Sequence, residues 1–189
     1  QLVRPDDSTF IPAAVKEIQN RVKELGGTSL PTARTPSDGP AIFVGRWCDP
    51  HIREVSMAFD VQLTPTDPGE QGYVIECGTY KGENAILLGG SDAQGTLYAC
   101  VTFRRLLTSR NGAVAARLAS VRDWPDFKIR CNGTLSFYTL RGTAFSEDNM
   151  APLRQAVREM KNQVDFYLRQ KVNVLRARGM FLQTRDDAR

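Results

Sequence analysis

Few side chains in this sequence have the type and spacing for chemistry, and most of those have a plainer reading. Asp123 and Asp126 could form an acid–base pair, because such catalysis needs two positioned proton-handling groups. They sit three residues apart in DWPDFKIR, a Pro-containing connector in which turn or capping carboxylates are expected. Asp186 and Asp187 lie in a polar tail and read as solvated charge. His51 is the only histidine. With Cys48 it offers half a metal site, and no further ligand has suitable spacing. It reads as a loop or interface residue. Gly89-Gly90-Ser91-Asp92 precedes a helical pattern, yet it is neither G-x-G-x-x-G nor G-x-x-x-x-G-K-[ST]. Asp92 at a helix N-terminus would itself compete with a bound anion. The glycines are expected to permit a tight strand-to-helix corner. Ser91 and Ser109 have no histidine partner in any motif. No catalytic residue, no cofactor site and no metal site is predicted.

The elements that must position these residues centre on 72–107. Tyr73, Ile75 and Cys77 alternate with Val74 and Glu76, the period of a strand. Lys81, Gly82, Glu83 and Asn84 supply turn chemistry. Ala85 to Leu88 is apolar without alternation, so a strand covered on both faces is expected. Asp92 can cap the helix that follows. Ala99, Cys100, Phe103, Leu106 and Leu107 fall on one face of that helix.

Before this block, residues 1–11 look extended. Pro12 suits a first helical turn, Ala14, Val15, Ile18, Val22 and Leu25 hold one apolar face, and Gly26-Gly27 stops the helix. Residues 41–44 read as a strand, and a short helix is expected over 50–59. After the central block come a polar gap and a strand at 118–122. A helix over 150–170 follows, with caps within 146–149 and an apolar stripe of Leu153, Ala156, Val157, Met160, Val164, Tyr167 and Leu168. A strand is expected at 171–175. The other helices are predicted at 12–25 and 92–108, packed on a mixed sheet of 41–44, 73–78, 85–89 and 118–122.

Composition excludes several classes. The 189 residues are 41% apolar and 24% charged, ordinary for a globular protein. No apolar run approaches the ~20 residues that span a bilayer. After residue 153 there are nine Lys/Arg against four Asp/Glu, an excess larger than the whole chain's +4. The basic character therefore belongs to the C-terminal stretch and is not a patch spread over a fold, a poor footprint for nucleic-acid binding. Cysteines at 48, 77, 100 and 131 form no ribbon or Cys-x-x-Cys. Cys77 and Cys100 read as buried thiols rather than disulfide partners.

Three blocks in order carry a family resemblance. The first is AAVKEIQNRVKELGGTSLP followed by IFVG, a "helix, Gly, x, x, Leu-Pro, loop, strand, Gly" opening through Ala13, Ala14, Ile18, Leu25, Gly27, Leu30, Pro31, Ile42, Val44 and Gly45. The second is Gly-x-Asp-x-x-Gly-x-x-Tyr and a Leu-Leu pair: Gly90, Asp92, Gly95, Tyr98, Leu106 and Leu107, with Ala99 where Gly is usual. The third is Asp123, Pro125, Phe127 and Arg130, with Cys131 where Gly is usual. Together they resemble the small domain that precedes the catalytic barrel in β-N-acetylhexosaminidases and α-glucuronidases, with the step into the first barrel strand.

The resemblance implies an α+β fold: a two-layer α/β sandwich over 1–123, with two helices on one face of a mixed sheet. An incomplete (β/α)8 barrel would follow over 124–189. A whole barrel takes about 250 residues, so only its first strand, helix and second strand would be present. The catalytic carboxylates of such hydrolases come from later strands. The implied role is then a non-catalytic N-terminal part of a carbohydrate-degrading hydrolase that supports the barrel. The implied partners are the missing C-terminal barrel and an oligosaccharide or polysaccharide with an amino sugar or uronic acid. Secretion, a periplasmic place or the cell surface is implied with it. Arg130, at the end of the first barrel strand by resemblance, is a candidate sugar contact, since its guanidinium offers fixed donors. A junction Arg paired with a nearby Asp is the other reading. The alternative function is a stand-alone carbohydrate-binding or scaffold module, which exposed Trp47, Phe59 and Trp124 in a line would favour.

Overall fold

A computed structural model describes residues 1–5, 11–135 and 150–177. Phe10, the caps expected within 146–149, and Asp186 and Asp187 lie outside these residues. The chain forms two compact units, Gln1–Lys128 and Ile129–Arg189.

The first unit runs β1 (Leu2–Val3), α1 (Ile11–Glu24), β2 (Thr32–Ala33), β3 (Ala41–Arg46), α2 (Pro50–Ala58), β4 (Tyr73–Tyr80), β5 (Glu83–Gly90), α3 (Ala93–Leu106), β6 (Leu107–Arg110), β7 (Ala113–Ala116) and β8 (Val121–Asp123). Six strands make one mixed sheet in the order β2-β1-β3-β5-β4-β8. β2, β1, β3 and β5 are parallel, and β4 runs antiparallel to β5 and β8. The architecture is α+β.

α1 ends at a Schellman motif. Gly26, at φ 85, follows the last turn, and the N–H groups of Gly26 and Gly27 donate to Lys23 O and Val22 O at 3.0 and 2.9 Å. The Gln19 side-chain amide then clasps the backbone of Leu30, donating to its carbonyl at 2.7 Å and accepting its N–H at 2.8 Å. That clasp turns the chain back so that Pro31 O can accept from Leu2 N–H at 2.8 Å. Leu2 and Val3 are buried, so the extended start is a strand inside the sheet.

Strand alternation sorts the core into two faces. Ala41, Phe43, Val74, Ala85 and Leu87 pack with Ile52 and Val55 of α2, covered by Phe59, Val61 and Leu63. On the other side α1 and α3 pack together against the sheet, and the Tyr73 hydroxyl reaches Thr102 of α3. The two-layer expectation is therefore corrected. α2 and the segment behind it form a third layer, which is why 85–88 is apolar without alternation. Burying each large side chain of this core contributes about 1.5–3 kcal/mol. Across α1 and α3, buried Glu17 pairs with Arg104 at 3.4 Å, and Arg104 also meets Glu24.

Other boundaries also move. The β4–β5 turn is only Lys81 and Gly82, at φ 52 and 84. Two positive φ values make the two-residue loop that suits strand twist, so Glu83 and Asn84 belong to β5. α3 stops at Leu106, and Leu107 begins a hairpin with β7 through Asn111 and Gly112 at φ 51 and 77. This hairpin occupies what reads in sequence as a polar gap. The strand expected at 118–122 is Val121–Asp123, with Leu118 78% exposed.

The second unit holds β9 (Cys131–Leu135), α4 (Ala151–Arg169) and β10 (Val174–Ala177). β9 and β10 are parallel, which requires a crossover such as α4. In α4 Ala156 is buried, while Val157 and Val164 are each 40% exposed and Phe166 57%. Leu153, Met160, Tyr167 and Leu168 are half-buried, so its apolar stripe is part-covered among the described residues.

Candidate functional site

The Gly90-to-Tyr98 corner is built for close approach. A Cβ on Gly90 would lie 2.1 Å from Thr96 N, and one on Gly95 2.0 Å from Gly72 O. Both contacts are with backbone, so only glycine fits. Asp92 caps α3: Oδ1 accepts Gly95 N–H at 2.7 Å, and Oδ2 accepts Gln71 N–H at 2.8 Å. Thr96 Oγ1 lies 3.0 Å from Gly45 O, tying the helix start to β3. Tyr98 is buried and accepts from Gln94 Nε2 at 2.7 Å. Both oxygens of the carboxylate are engaged in holding the corner, so its chemistry is structural.

Asp123 and Asp126 do not form a matched pair. Asp123 Oδ2 accepts the Tyr73 hydroxyl at 2.7 Å, and Thr102 Oγ1 lies 2.7 Å from the same hydroxyl. Burial first, and the facing Asp123 carboxylate with it, hold the Tyr73 hydroxyl far above the usual phenol range, against the opposing Thr102 bond. Asp126 is exposed. A two-carboxylate reaction across a scissile bond needs both groups aimed at it, and Asp123 is aimed at a tyrosine.

Arg130 lies immediately before β9, where the resemblance implied the end of a strand. Its Nε donates to Lys171 O at 2.8 Å, its backbone N–H to Asn173 Oδ1 at 2.8 Å, and its carbonyl accepts Asn173 N–H at 3.1 Å. The side chain thus braces the turn that enters β10.

The aromatic candidates are not equivalent. Trp124 is 54% exposed. Trp47 is half-buried, and half-buried Phe59 lies over Gly78, where a Cβ would be 2.8 Å from its ring. Phe59 therefore belongs to the third layer. Cys48 is exposed and His51 half-buried in the first turn of α2. Among the described residues no three His, Cys, Asp or Glu are placed to hold a metal. All four cysteines are free; Cys100 is buried and Cys77 half-buried. Burial raises the Cys100 thiol, with nearby Glu17 adding to it.

One cluster escapes sequence reasoning. The Tyr80 hydroxyl donates to Glu54, and Lys81 Nζ lies 5.0 Å from the Tyr80 ring centroid. The Tyr80 bond holds the Glu54 carboxyl below its usual range, and burial followed by Glu54 raises Tyr80. Tyr80 also meets Phe43 edge-on at 5.3 Å. Nothing local in sequence links residue 54 of a helix to residue 80 at a strand end.

The first unit is thus an α+β scaffold, and about nine-tenths of the chain is similar in fold to portions of glycoside hydrolases. The chain aligns with a family GH115 4-O-methyl-α-glucuronidase with specificity for decorated arabinogalactans at TM-score 0.61 and 12% identity, over 93% of this chain and 24% of that one. A GH20 exo-β-N-acetylglucosaminidase from Vibrio harveyi gives 0.55 and 14%, over 93% and 21%. A Streptomyces plicatus β-hexosaminidase gives 0.53 and 18%, over 93% and 29%. The chain therefore spans under a third of the length of these enzymes. No family model and no curated protein matches it.

Proposed function

We propose that the chain is the non-catalytic N-terminal part of a carbohydrate-degrading glycoside hydrolase, hexosaminidase- or α-glucuronidase-like. Residues 1–123 support a catalytic barrel, and residues 124–189 supply its first strand, helix and second strand. The observation that carries this is the alignment of 93% of the chain onto about a quarter of a GH115 enzyme. The parallel β9–α4–β10 unit, with Val157 and Val164 of α4 still exposed, suits an opening barrel that later strands and helices would cover. In this reading the substrate is an oligosaccharide or polysaccharide, Arg130 contacts it, and the parent enzyme is exported to where polysaccharides are found.

Two measurements test it. Residues 1–189 assayed on aryl glycosides should show no turnover, and turnover above background overturns the non-catalytic role. The natural protein should be far heavier than the 21.0 kDa of this chain. A natural mass near 21.0 kDa would remove the barrel.

A second reading, a stand-alone carbohydrate-binding or scaffold module, draws on the exposure of Trp124. Saturable quenching of tryptophan fluorescence by oligosaccharide, lost in Trp124→Ala, would select it.

A further inference from the structure

We propose that residues 119–128, the last segment of the first unit, are a fixed strap latched onto β4 and the loop behind α2, so that the chain leaves the unit from a set point at Lys128. Only three residues of the segment are in a strand, β8, and a β-pairing that short is weak by itself. Side-chain contacts over 119–123 and again at Lys128 fasten it instead. Ala119 O accepts from Cys77 Sγ at 3.8 Å, and Ser120 Oγ donates to Glu76 Oε2 at 2.6 Å. Arg122 reaches both Asp67 and Gln62 O, joining the strap to the loop behind α2. Asp123 takes the Tyr73 hydroxyl in the shielded node with Thr102. Gln71, which is buried, donates from Nε2 to Lys128 O at 3.1 Å, and Lys128 Nζ meets Glu70 at 2.8 Å.

These fasteners differ in weight. The Lys128–Glu70 pair is 70% and 62% exposed, and such pairs contribute little. The Tyr73–Asp123 bond is shielded and has an ionised acceptor, the stronger kind. Tyr73 also sits centrally: it joins β4, on which the strap pairs, to α3 and to the strap itself. The latch is therefore Tyr73–Asp123, with Gln71 holding the far end. This inference does not depend on the carbohydrate reading.

Amide hydrogen exchange on the whole chain tests it. In the wild type, amides of 121–123 should exchange at least about 100-fold more slowly than in an unstructured peptide, and Tyr73→Phe should speed them about tenfold while β5 amides are unchanged. Arg122→Ala, which leaves the core intact, should speed the strap about threefold, the weight of an exposed contact. Free-peptide exchange across 119–128 in the wild type overturns the strap. Equal acceleration of β5 in Tyr73→Phe, with no effect of Arg122→Ala, overturns the latch, because opening would then be global.

Discussion

Asp92 holds two chain segments with one carboxylate. One oxygen caps α3 and the other anchors the Gln71 backbone. Asp92→Ala removes both bonds at once and should lower stability by about 2 kcal/mol, the upper end of N-cap losses. Asp92→Asn keeps one acceptor and should recover at least half, read from denaturant midpoints at constant m-value. Arg130 poses a sharper question, because its Nε already donates to Lys171 O. In an active parent enzyme, Arg130→Lys should raise KM about 10- to 100-fold if the guanidinium also contacts sugar, the worth of a charged hydrogen bond. An unchanged KM with a lower melting temperature would leave Arg130 as a brace for the turn into β10. The residue types at both positions were visible in sequence, but the partners were not, since Gln71 lies 21 residues and Lys171 41 residues away.

At the scale of elements, the β6–β7 hairpin shows how a local signal can be passed over. Asn111-Gly112 is a strong hairpin signature, but the runs beside it, LTSR and AVAA, hold only one β-branched residue each, and Leu107 continues the apolar face of α3. The chain resolves this by ending the helix at Leu106 and letting Leu107 be buried as the first strand residue. Gly112 has φ 77, and nothing lies within 4 Å of the place a methyl group would take there. Gly112→Ala should therefore bring backbone strain without a clash, about 1–2 kcal/mol. Exchange at the hairpin amides should quicken about 5- to 30-fold, the same energy expressed as an opening equilibrium, with α1 and β3 unaffected. Equal exchange in mutant and wild type would mean that the turn reads no strain.

For the molecule as a whole, the shielded Tyr73 node links stability to alkaline pH. An unfolded tyrosine ionises near pH ~10, whereas burial and Asp123 raise Tyr73 well above that in the folded state. Its folded-state pKa is raised, so the stability it contributes is present below about pH 10 and is lost as pH climbs beyond that. Denaturation followed from about pH 8 to about pH 11.5 should show a decline that is smaller in Tyr73→Phe. Identical declines would mean that the hydroxyl titrates normally. The group acts on the whole first unit because β4, α3 and β8 all meet at it.

Sequence by itself determined the local framework: the helices, the two central strands, the Asp92 cap and the glycine corner. These depend on periodicity and backbone conformation within a few residues, which neighbours in the chain dictate. It also carried the three-block resemblance. Only the tertiary structure decided that β1 and β2 join the sheet, that α2 makes a third layer, and that Asp123 faces Tyr73 and not a second acid. Those outcomes depend on contacts between residues tens of positions apart, where burial and register, not local propensity, select the partner.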